Sequence, residues 1–372
     1  MIESTIISNT HHFKLIKNQW NELLEKSQTD KLFMRWEWLF NWWIVFGDNY
    51  QLFIILVHEN NNLIAIAPLY VNILKFTNLF QVKLFEILGS RFVGSDYLDF
   101  IFETAKEEVA LKEITDVLEK RRSNILHLVN IREDSAAYKI VDQLQKESGF
   151  RVYSYFKTPC PYIELPNAWD ELLMQFKKKK RSNLRYYKRK AEKDLLVKFS
   201  RVENEKELNS YFNTLIELNR SRMQQKRIDN LEGTFFNDRF LEFHKRISSV
   251  FLDEDILRLY YLKDQENNII AIKYNFRLNN KAYSYQVGLK LGYEKSRLGT
   301  VMLCYCIEDA IKEGCKEYDF LEGNEKYKYE WTKEETIISS YYIYKNNFFY
   351  NVVFSLLKIL TKLKSRFNSI IL

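Results

Sequence analysis

The chain has 372 residues, of which 46% are hydrophobic and 16% aromatic, so it can bury substantial cores and is not intrinsically disordered. This length suits two domains of ordinary size, and ten Gly and four Pro leave little material for long flexible linkers. The net charge is +7, but residues 177–190, "KKKKRSNLRYYKRK", carry nine Lys and Arg, and the rest of the chain sums to −2. The basic character is therefore local, which argues against a protein that binds nucleic acid over a broad surface.

The sequence lacks the signals of secretion, membrane insertion and metal binding. No apolar run approaches the ~18 residues that a membrane span needs, and the first ten residues, "MIESTIISNT", lack the basic and apolar regions of a secretory signal. The cysteines have no metal-ligand spacing and are interpreted as buried thiols in a reducing compartment; they are Cys160, Cys304, Cys306 and Cys315. We therefore expect a cytoplasmic protein without a metal.

The same order of secondary-structure elements is predicted twice along the chain. In the first half, helical patterns at 13–27 and 33–46 precede three strands, a helix at 104–121, a strand, a helix at 136–148 and a last strand. In the second half, a strand near 195–202 precedes helices at 206–224 and 236–250, three strands, a helix at 299–313, the strand "KEYDFLE" and the strand "TIISSYYIYK". Matching Asn-rich turns in "ENNNLIAIAP" and "QENNIIAIKY" predict equivalent hairpins, because Asn tolerates left-handed backbone. The pattern predicts an α+β fold built from two copies of one domain.

The predicted boundary between the two copies lies in "PCPYIELP", residues 159–166, where three of the four prolines cluster. This gives an N-terminal domain at 1–165, a C-terminal domain at 166–345 and a terminal segment at 346–372. Within that segment, apolar residues of 348–372 recur at helical spacing with basic residues between them. Such a helix can lie on an anionic membrane surface at the inner face of the membrane, or it can dock on its own domain, and the sequence leaves both readings open.

The segment "YDFLEGNEKYKYEW" resembles the signature of the GNAT-like acyltransferases of the CelD / exopolysaccharide-associated type, which are related to the FemAB peptidyltransferases. The matching positions of the segment are Asp319, Phe320, Gly323, Glu325, Tyr327, Lys328 and Trp331. Further matches are "RSNLRYYKRKAEK" with Arg185, the sequences "APLY" and "SDYLDF" of the first half, and Arg222, Tyr285, Gly288 and Gly299. The resemblance implies two tandem GNAT-like (acyl-CoA N-acyltransferase) domains, each with a mixed, mostly antiparallel sheet flanked by helices. It also implies transfer of an acyl group to an amine, often on a surface-polysaccharide or lipid precursor.

The donor implied by the resemblance is acetyl-CoA or another acyl-CoA, whose pyrophosphate would lie at the N-terminus of the helix that begins near Gly299. Unpaired backbone N–H groups and the helix dipole favour anions at such a position. The predicted donor-binding residues are Lys295, Arg297, Gly299 and Thr300. The equivalent helix of the first half begins with acids, namely Glu103, Glu107 and Glu108, which would repel phosphate. We therefore expect donor binding in the second half and not in the first.

The catalytic step requires a group that takes a proton from the amine and a group that protonates the leaving thiolate. Glu325, by resemblance, and then Asp319 are the predicted bases, and Tyr327 is the predicted acid. The predicted acceptor contacts are Arg185, Arg222, Tyr285 and Lys328. Arg222 and Lys328 are cations at neutral pH and suit a carboxylate or phosphate on the acceptor.

The sequence thus favours an N-acyltransferase acting on an amine of a small molecule, a sugar or a cell-envelope precursor. One alternative is a FemAB-type transferase that uses aminoacyl-tRNA and binds its phosphates through the basic stretch. Others are a nucleic-acid-binding protein and a non-catalytic scaffold of the same fold. A long heptad arm, a helix-turn-helix and an RRM motif are all missing from the sequence, which disfavours the readings that involve nucleic acid. The basic stretch is then expected to lie where phosphates of the donor or acceptor pass.

Overall fold

The computed structural model describes residues 1–77, 80–120, 124–146, 149–225 and 233–355. Its strands are β1 (Ile2–Ile7), β2 (Gln51–Glu59), β3 (Asn62–Thr77), β4 (Phe80–Ile87), β5 (Ile101–Phe102), β6 (Asn124–Arg132), β7 (Phe150–Glu164), β8 (Lys198–Arg201), β9 (Leu257–Lys263), β10 (Ile269–Leu278), β11 (Lys281–Leu289), β12 (Glu317–Asp319) and β13 (Glu335–Lys345). Its α-helices are α1 (Thr10–Leu15), α2 (Lys17–Lys26), α3 (Trp36–Phe46), α4 (Glu107–Lys120), α5 (Ala136–Lys146), α6 (Trp169–Gln175), α7 (Lys178–Asp194), α8 (Glu205–Gln225), α9 (Asp238–Asp253), α10 (Leu298–Lys312) and α11 (Lys326–Tyr329).

The described strands join in one continuous sheet. Its order is β1-β2-β3-β4-β6-β13-β7-β12-β11-β10-β9-β8, and β5 adds to β3. Only two neighbouring pairs of the described strands are parallel, β4 with β6 and β11 with β12. Each parallel pair is connected through a helix, α4 in the first half and α10 in the second, as parallel neighbours require. The predicted α+β fold, a mixed and mostly antiparallel sheet flanked by helices, is confirmed, and the order of elements is repeated.

The two hairpins predicted from Asn-rich turns are confirmed. Asn60 and Asn61 connect β2 to β3 with φ of 50° and 67°, and Asn267 before β10 has φ of 62°. These are left-handed conformations, which Asn adopts at a lower cost than most residues. The short-range chemistry of the turn therefore determines both hairpins.

Strands β7 and β13 connect the halves in a way that the sequence did not indicate. β13, which the prediction assigned to the second half, lies between β6 and β7 of the first half. β7 pairs with β13 over residues 150–161 and with β12 over residues 162–164, so the proline-rich segment is mostly strand and not an irregular linker. The division into 1–165 and 166–345 stays a prediction, and the two parts share one sheet.

Aromatic packing joins the halves on one face of the sheet. Trp38 and Trp42 of α3 are fully buried in a core to which α8 and α9 of the second half also contribute. Trp38 meets Phe243 of α9 edge to face at 4.8 Å. A second core lies on the other face of the second half, where α10 packs against the sheet and α7 packs against α10 through Leu184 and Ala191. These contacts fix the position of α10 relative to the sheet.

The described part of the C-terminal segment packs on the first half. Residues 348–355 are helical, and the Phe354 ring lies 4.6 Å from that of Tyr344 and 5.1 Å from that of Tyr153. The rest of the predicted basic helix, 356–372, lies outside the described residues, and its membrane contact stays a prediction. Within the part of the chain that the structure describes, no helix is long and apolar enough to cross a bilayer.

Candidate active site

A cleft opens where β11 and β12 separate. The two strands pair only at Lys281–Tyr283, although β11 continues to Leu289. β12 ends after three residues because the chain turns out of the sheet, with φ of 60° at Leu321 and 126° at Gly323. The space between the strands is a cleft of about 790 Å³, lined by β11, by the start of α10 and by the loop at 320–331, with Gly94 and Asp96 added from the first half.

The N-terminus of α10 faces this cleft. Arg297 precedes the helix in a left-handed conformation, φ 52°, and its carbonyl accepts the N–H groups of Thr300 and Val301 at 2.9 and 3.1 Å. The N–H groups of Leu298 and Gly299 have no acceptor among the described residues. A Cβ at Gly299 would touch only the Leu289 side chain, at 3.5 Å, so the space in front of the helix is open.

Three of the four predicted donor-binding residues line the cleft. They are Arg297, Gly299 and Thr300. Lys295 lies in the 3-10 turn before the helix and is not part of the lining. The start of α10 therefore combines unpaired N–H groups, a guanidinium and a hydroxyl, an arrangement suited to an anion.

Lys328 holds the loop at 320–331 in shape. It is 2% exposed, and its ammonium donates to the carbonyls of Leu321 at 3.0 Å and Glu322 at 2.6 Å and pairs with the Glu325 carboxylate at 2.9 Å. An ammonium has three donor hydrogens, so these contacts use all of them. Lys328 was predicted to contact the acceptor; it lines the cleft, but its charged group is engaged inside the loop.

Gly323 has a local reason to be glycine. Its φ of 126° belongs to glycine, and a Cβ there would lie 2.3 Å from the Glu325 carboxylate. The loop therefore brings Glu325 over residue 323 and against Lys328. Glu325 lines the cleft and remains 56% exposed, so its carboxylate is accessible to a ligand.

Tyr327, the predicted acid, also lines the cleft. Burial and the nearby Glu325 carboxylate raise the pKa of Tyr327 to about 12. The phenol therefore keeps its proton at neutral pH, which a proton donor requires.

Asp319 lies beneath the cleft and not in its lining. It is 1% exposed, accepts a hydrogen bond from the Tyr97 hydroxyl at 2.7 Å and pairs with the Lys281 ammonium at 2.8 Å. Its other oxygen accepts the N–H of Leu321 at 2.7 Å. Asp319 thus connects the first half to the base of the loop, and the structure does not bring it together with Glu325 and Tyr327.

The remaining predicted acceptor contacts separate into two groups. Arg222 and Tyr285 line the cleft. Arg222 makes no hydrogen bond or ion pair with any residue that the structure describes, whereas the Tyr285 hydroxyl donates to the carbonyl of Val93 and lies 3.1 Å from His244 Nε2. Arg185 lies outside the cleft on the exposed face of α7, where it pairs with Asp170 at 2.9 Å.

Two buried charged residues of the lining, Asp96 and Lys273, have no role predicted from the sequence. Asp96 comes from the first half, is 2% exposed and accepts the N–H of Glu322 at 2.8 Å, and burial raises its pKa well above the usual value. Lys273 projects from β10 and is 5% exposed; burial lowers its pKa to about 8. Its signal in the sequence was a lysine inside the apolar strand "NIIAIKYNF", because a lysine on a buried strand is rare without a special reason.

The basic stretch forms α7, beside the helix that begins at the cleft. Residues 177–179 are exposed, but the Lys180 ammonium lies over the rings of Phe176 at 3.7 Å and Trp331 at 5.0 Å. Lys188 pairs with Glu308 of α10. The stretch is therefore part solvent-exposed surface and part packing against α10 and the end of the loop.

Within the described residues, no group of three or more His, Cys, Asp or Glu side chains could hold a metal ion. The free cysteines Cys160, Cys304, Cys306 and Cys315 are buried. His244 is fully buried among aromatic rings, in agreement with a structural role.

Comparisons with known proteins agree with this architecture. Residues 178–329 match the model of an acetyltransferase (GNAT) domain, whereas no curated protein matches the chain in sequence. Among solved structures, FemX is similar over 95% of this chain and 99% of its own, with a TM-score of 0.60 and 12% identity. A conserved protein of unknown function from Bacteroides thetaiotaomicron is similar over 92% and 99%, with a TM-score of 0.55 and 12% identity.

L-PGS from Bacillus licheniformis is similar over 92% of this chain and 95% of its own, with a TM-score of 0.51 and 12% identity. At such identities these structures show the fold alone. The family model covers α7, α10 and most of the cleft lining, and the structural similarities extend over both halves. Residues 178–329 are therefore similar to a GNAT-type acetyltransferase domain, and the chain as a whole shares its fold with FemX and L-PGS.

Proposed function

We propose that the protein is an N-acyltransferase that moves an acyl group from acyl-CoA to an amine on a small molecule, a sugar or a cell-envelope precursor. The observation that carries this proposal is the cleft between the separated strands β11 and β12, with the open N-terminus of α10 at one end. An elongated donor could lie between the strands with its phosphates at the helix. A single cleft would then hold both the donor and the reacting amine, which removes much of the entropic barrier to their reaction.

The donor's phosphates would be held by Arg297, by the unpaired N–H groups of Leu298 and Gly299, and by the Thr300 hydroxyl. The absence of a Cβ at Gly299 allows a phosphate oxygen to approach the helix closely. No such site is proposed for the first half, where Glu107 stands at the start of α4 and pairs with Lys139 at 2.6 Å.

In the reaction, the amine nitrogen attacks the thioester carbonyl carbon, the C–N bond forms and the C–S bond breaks. A carboxylate takes the proton that the amine releases, and Glu325 is an accessible carboxylate of the loop. The leaving thiolate takes a proton from the Tyr327 phenol, which is protonated at neutral pH. The products are an amide and the free thiol of CoA.

A FemAB-type transfer of an aminoacyl group from aminoacyl-tRNA is the second candidate function. Two observations favour it: FemX and L-PGS share the fold, and α7 exposes a row of basic residues beside the cleft. In that case α7 would bind tRNA phosphates, and the start of α10 would hold the 3′ end.

The test is thermal stabilisation by acetyl-CoA, longer acyl-CoAs and uncharged tRNA, together with release of free thiol in the presence of candidate amines. We expect stabilisation by CoA compounds, which Arg297→Gln weakens. Lys295→Gln is the matched control, because it removes a positive charge two residues away that does not line the cleft. Stabilisation by tRNA alone would identify the aminoacyl transferase instead, and no response to either would identify a scaffold without transferase activity.

A further inference from the structure

Lys273 is an unpartnered charge at the cleft. It lies on β10 opposite Val287 of β11, which also lines the cleft. The side chain is 5% exposed and makes no hydrogen bond or ion pair with any residue in the described ranges. A largely desolvated charge without a partner is costly, so such a residue normally gains a counter-charge in the working state of the protein.

The charged side chains that act most strongly on Lys273 are two cations and one carboxylate. Besides burial, the cations of Lys328 and Arg222 lower the pKa of Lys273, and the Glu325 carboxylate raises it. Glu325 is already paired with Lys328, so that pair is neutral by itself. Lys273 and Arg222 then remain as two cations of the same cleft whose hydrogen-bond donors are free within the described structure.

This positive charge is distinct from the proposed donor-phosphate site. The side chain nearest to Gly299 is that of Leu289, at 3.5 Å from the position of a Cβ there, whereas Lys273 lies opposite Val287, two residues away along β11. At about 3.4 Å per residue the two positions are about 7 Å apart along the strand. Phosphates at the start of α10 would therefore lie beside Leu289 and not beside Lys273.

We propose that Lys273 and Arg222 together bind a carboxylate or phosphate group at the inner end of the cleft, and that the acceptor carries this group. The assignment to the acceptor rests on the proposed function, in which the donor's phosphates lie at the other end. The planar guanidinium of Arg222 can bind two oxygens side by side, and the Lys273 ammonium supplies a point charge. The acceptor is then an amine that carries an anionic group.

The experiment compares wild type with Lys273→Met and, as a control, Lys326→Met. Lys326 is an exposed lysine of α11 that does not line the cleft. Inorganic phosphate is titrated in a thermal-shift assay, first alone and then with saturating acetyl-CoA. We expect Lys273→Met to melt at or above the wild-type temperature, because a desolvated charge is replaced by an apolar chain of similar length. It should need at least about tenfold more phosphate for the same shift, whereas Lys326→Met responds like wild type.

Equal responses of Lys273→Met and Lys326→Met to phosphate would overturn the inference. Succinyl-CoA provides a further arm, because its acyl group carries a carboxylate. If it stabilises wild type more than acetyl-CoA does, and Lys273→Met removes this gain, the anion belongs to the donor and the assignment to the acceptor is wrong. If acetyl-CoA has no effect on any variant, the proposed donor fails, while the phosphate comparison still tests the Lys273 site.

Discussion

Replacing Lys328 with Met tests whether this residue supports the loop or contacts the substrate. The ammonium donates to two main-chain carbonyls, those of Leu321 and Glu322, and pairs with Glu325. A buried acceptor that loses its partner costs about 1–3 kcal/mol. The pair with Glu325 adds at most ~1 kcal/mol, because that carboxylate is exposed. Water can replace the donor more easily at Glu322, so we expect a loss of about 2–4 kcal/mol in the free energy of unfolding.

The assay is urea denaturation without any ligand, with Lys326→Met as the control. The control should remain within about 0.5 kcal/mol of wild type, as surface substitutions usually do. An unchanged slope with a lower midpoint would show a loss of stability and not a change in the denatured state. If Lys328→Met unfolds at the wild-type midpoint and only raises the KM for the acceptor, the loop-supporting role is wrong and the ammonium contacts substrate.

Gly323→Ala should lower the free energy of unfolding by about 1–3 kcal/mol, because a φ of 126° is strained for alanine. It should also lower kcat/KM, because the new Cβ would displace the Glu325 carboxylate. Unchanged kinetics would contradict this prediction. The pKa of His244 falls from 6.5 to about 3 on burial, so only the unfolded state takes up its proton between these values. The free energy of unfolding should therefore fall by about 2 kcal/mol from pH 6.5 to 5. In urea titrations, His244→Gln should remove this pH dependence. The same pH dependence in the variant would show that His244 is not its source. Residues 177–179 are replaced with Gln, and Lys180 is kept because it packs against aromatic rings. The substitution should raise the KM for an anionic donor, and the increase should be smaller at high salt than at low salt. A KM change independent of salt would exclude electrostatic guidance.

The sequence by itself determined what depends on near neighbours. The Asn turns specify their hairpins because the left-handed backbone is a property of a few residues. The repeated order of strands and helices follows from hydrophobic periodicity, and Gly299 marks the start of α10. The motif from Tyr318 to Trp331 located the loop that forms one wall of the cleft.

Only the tertiary structure decided which of those residues share a cleft and which are engaged elsewhere. β13 lies between β6 and β7 through pairing across some two hundred residues, and no local pattern encodes that choice. Asp319 and Lys328 match the motif as well as Glu325 does. The structure nevertheless pairs Asp319 with Tyr97 of the first half and Lys328 with carbonyls of the loop. The charge of Lys273 gains its significance from burial, and burial depends on every element that packs around a residue, not on its neighbours in the chain.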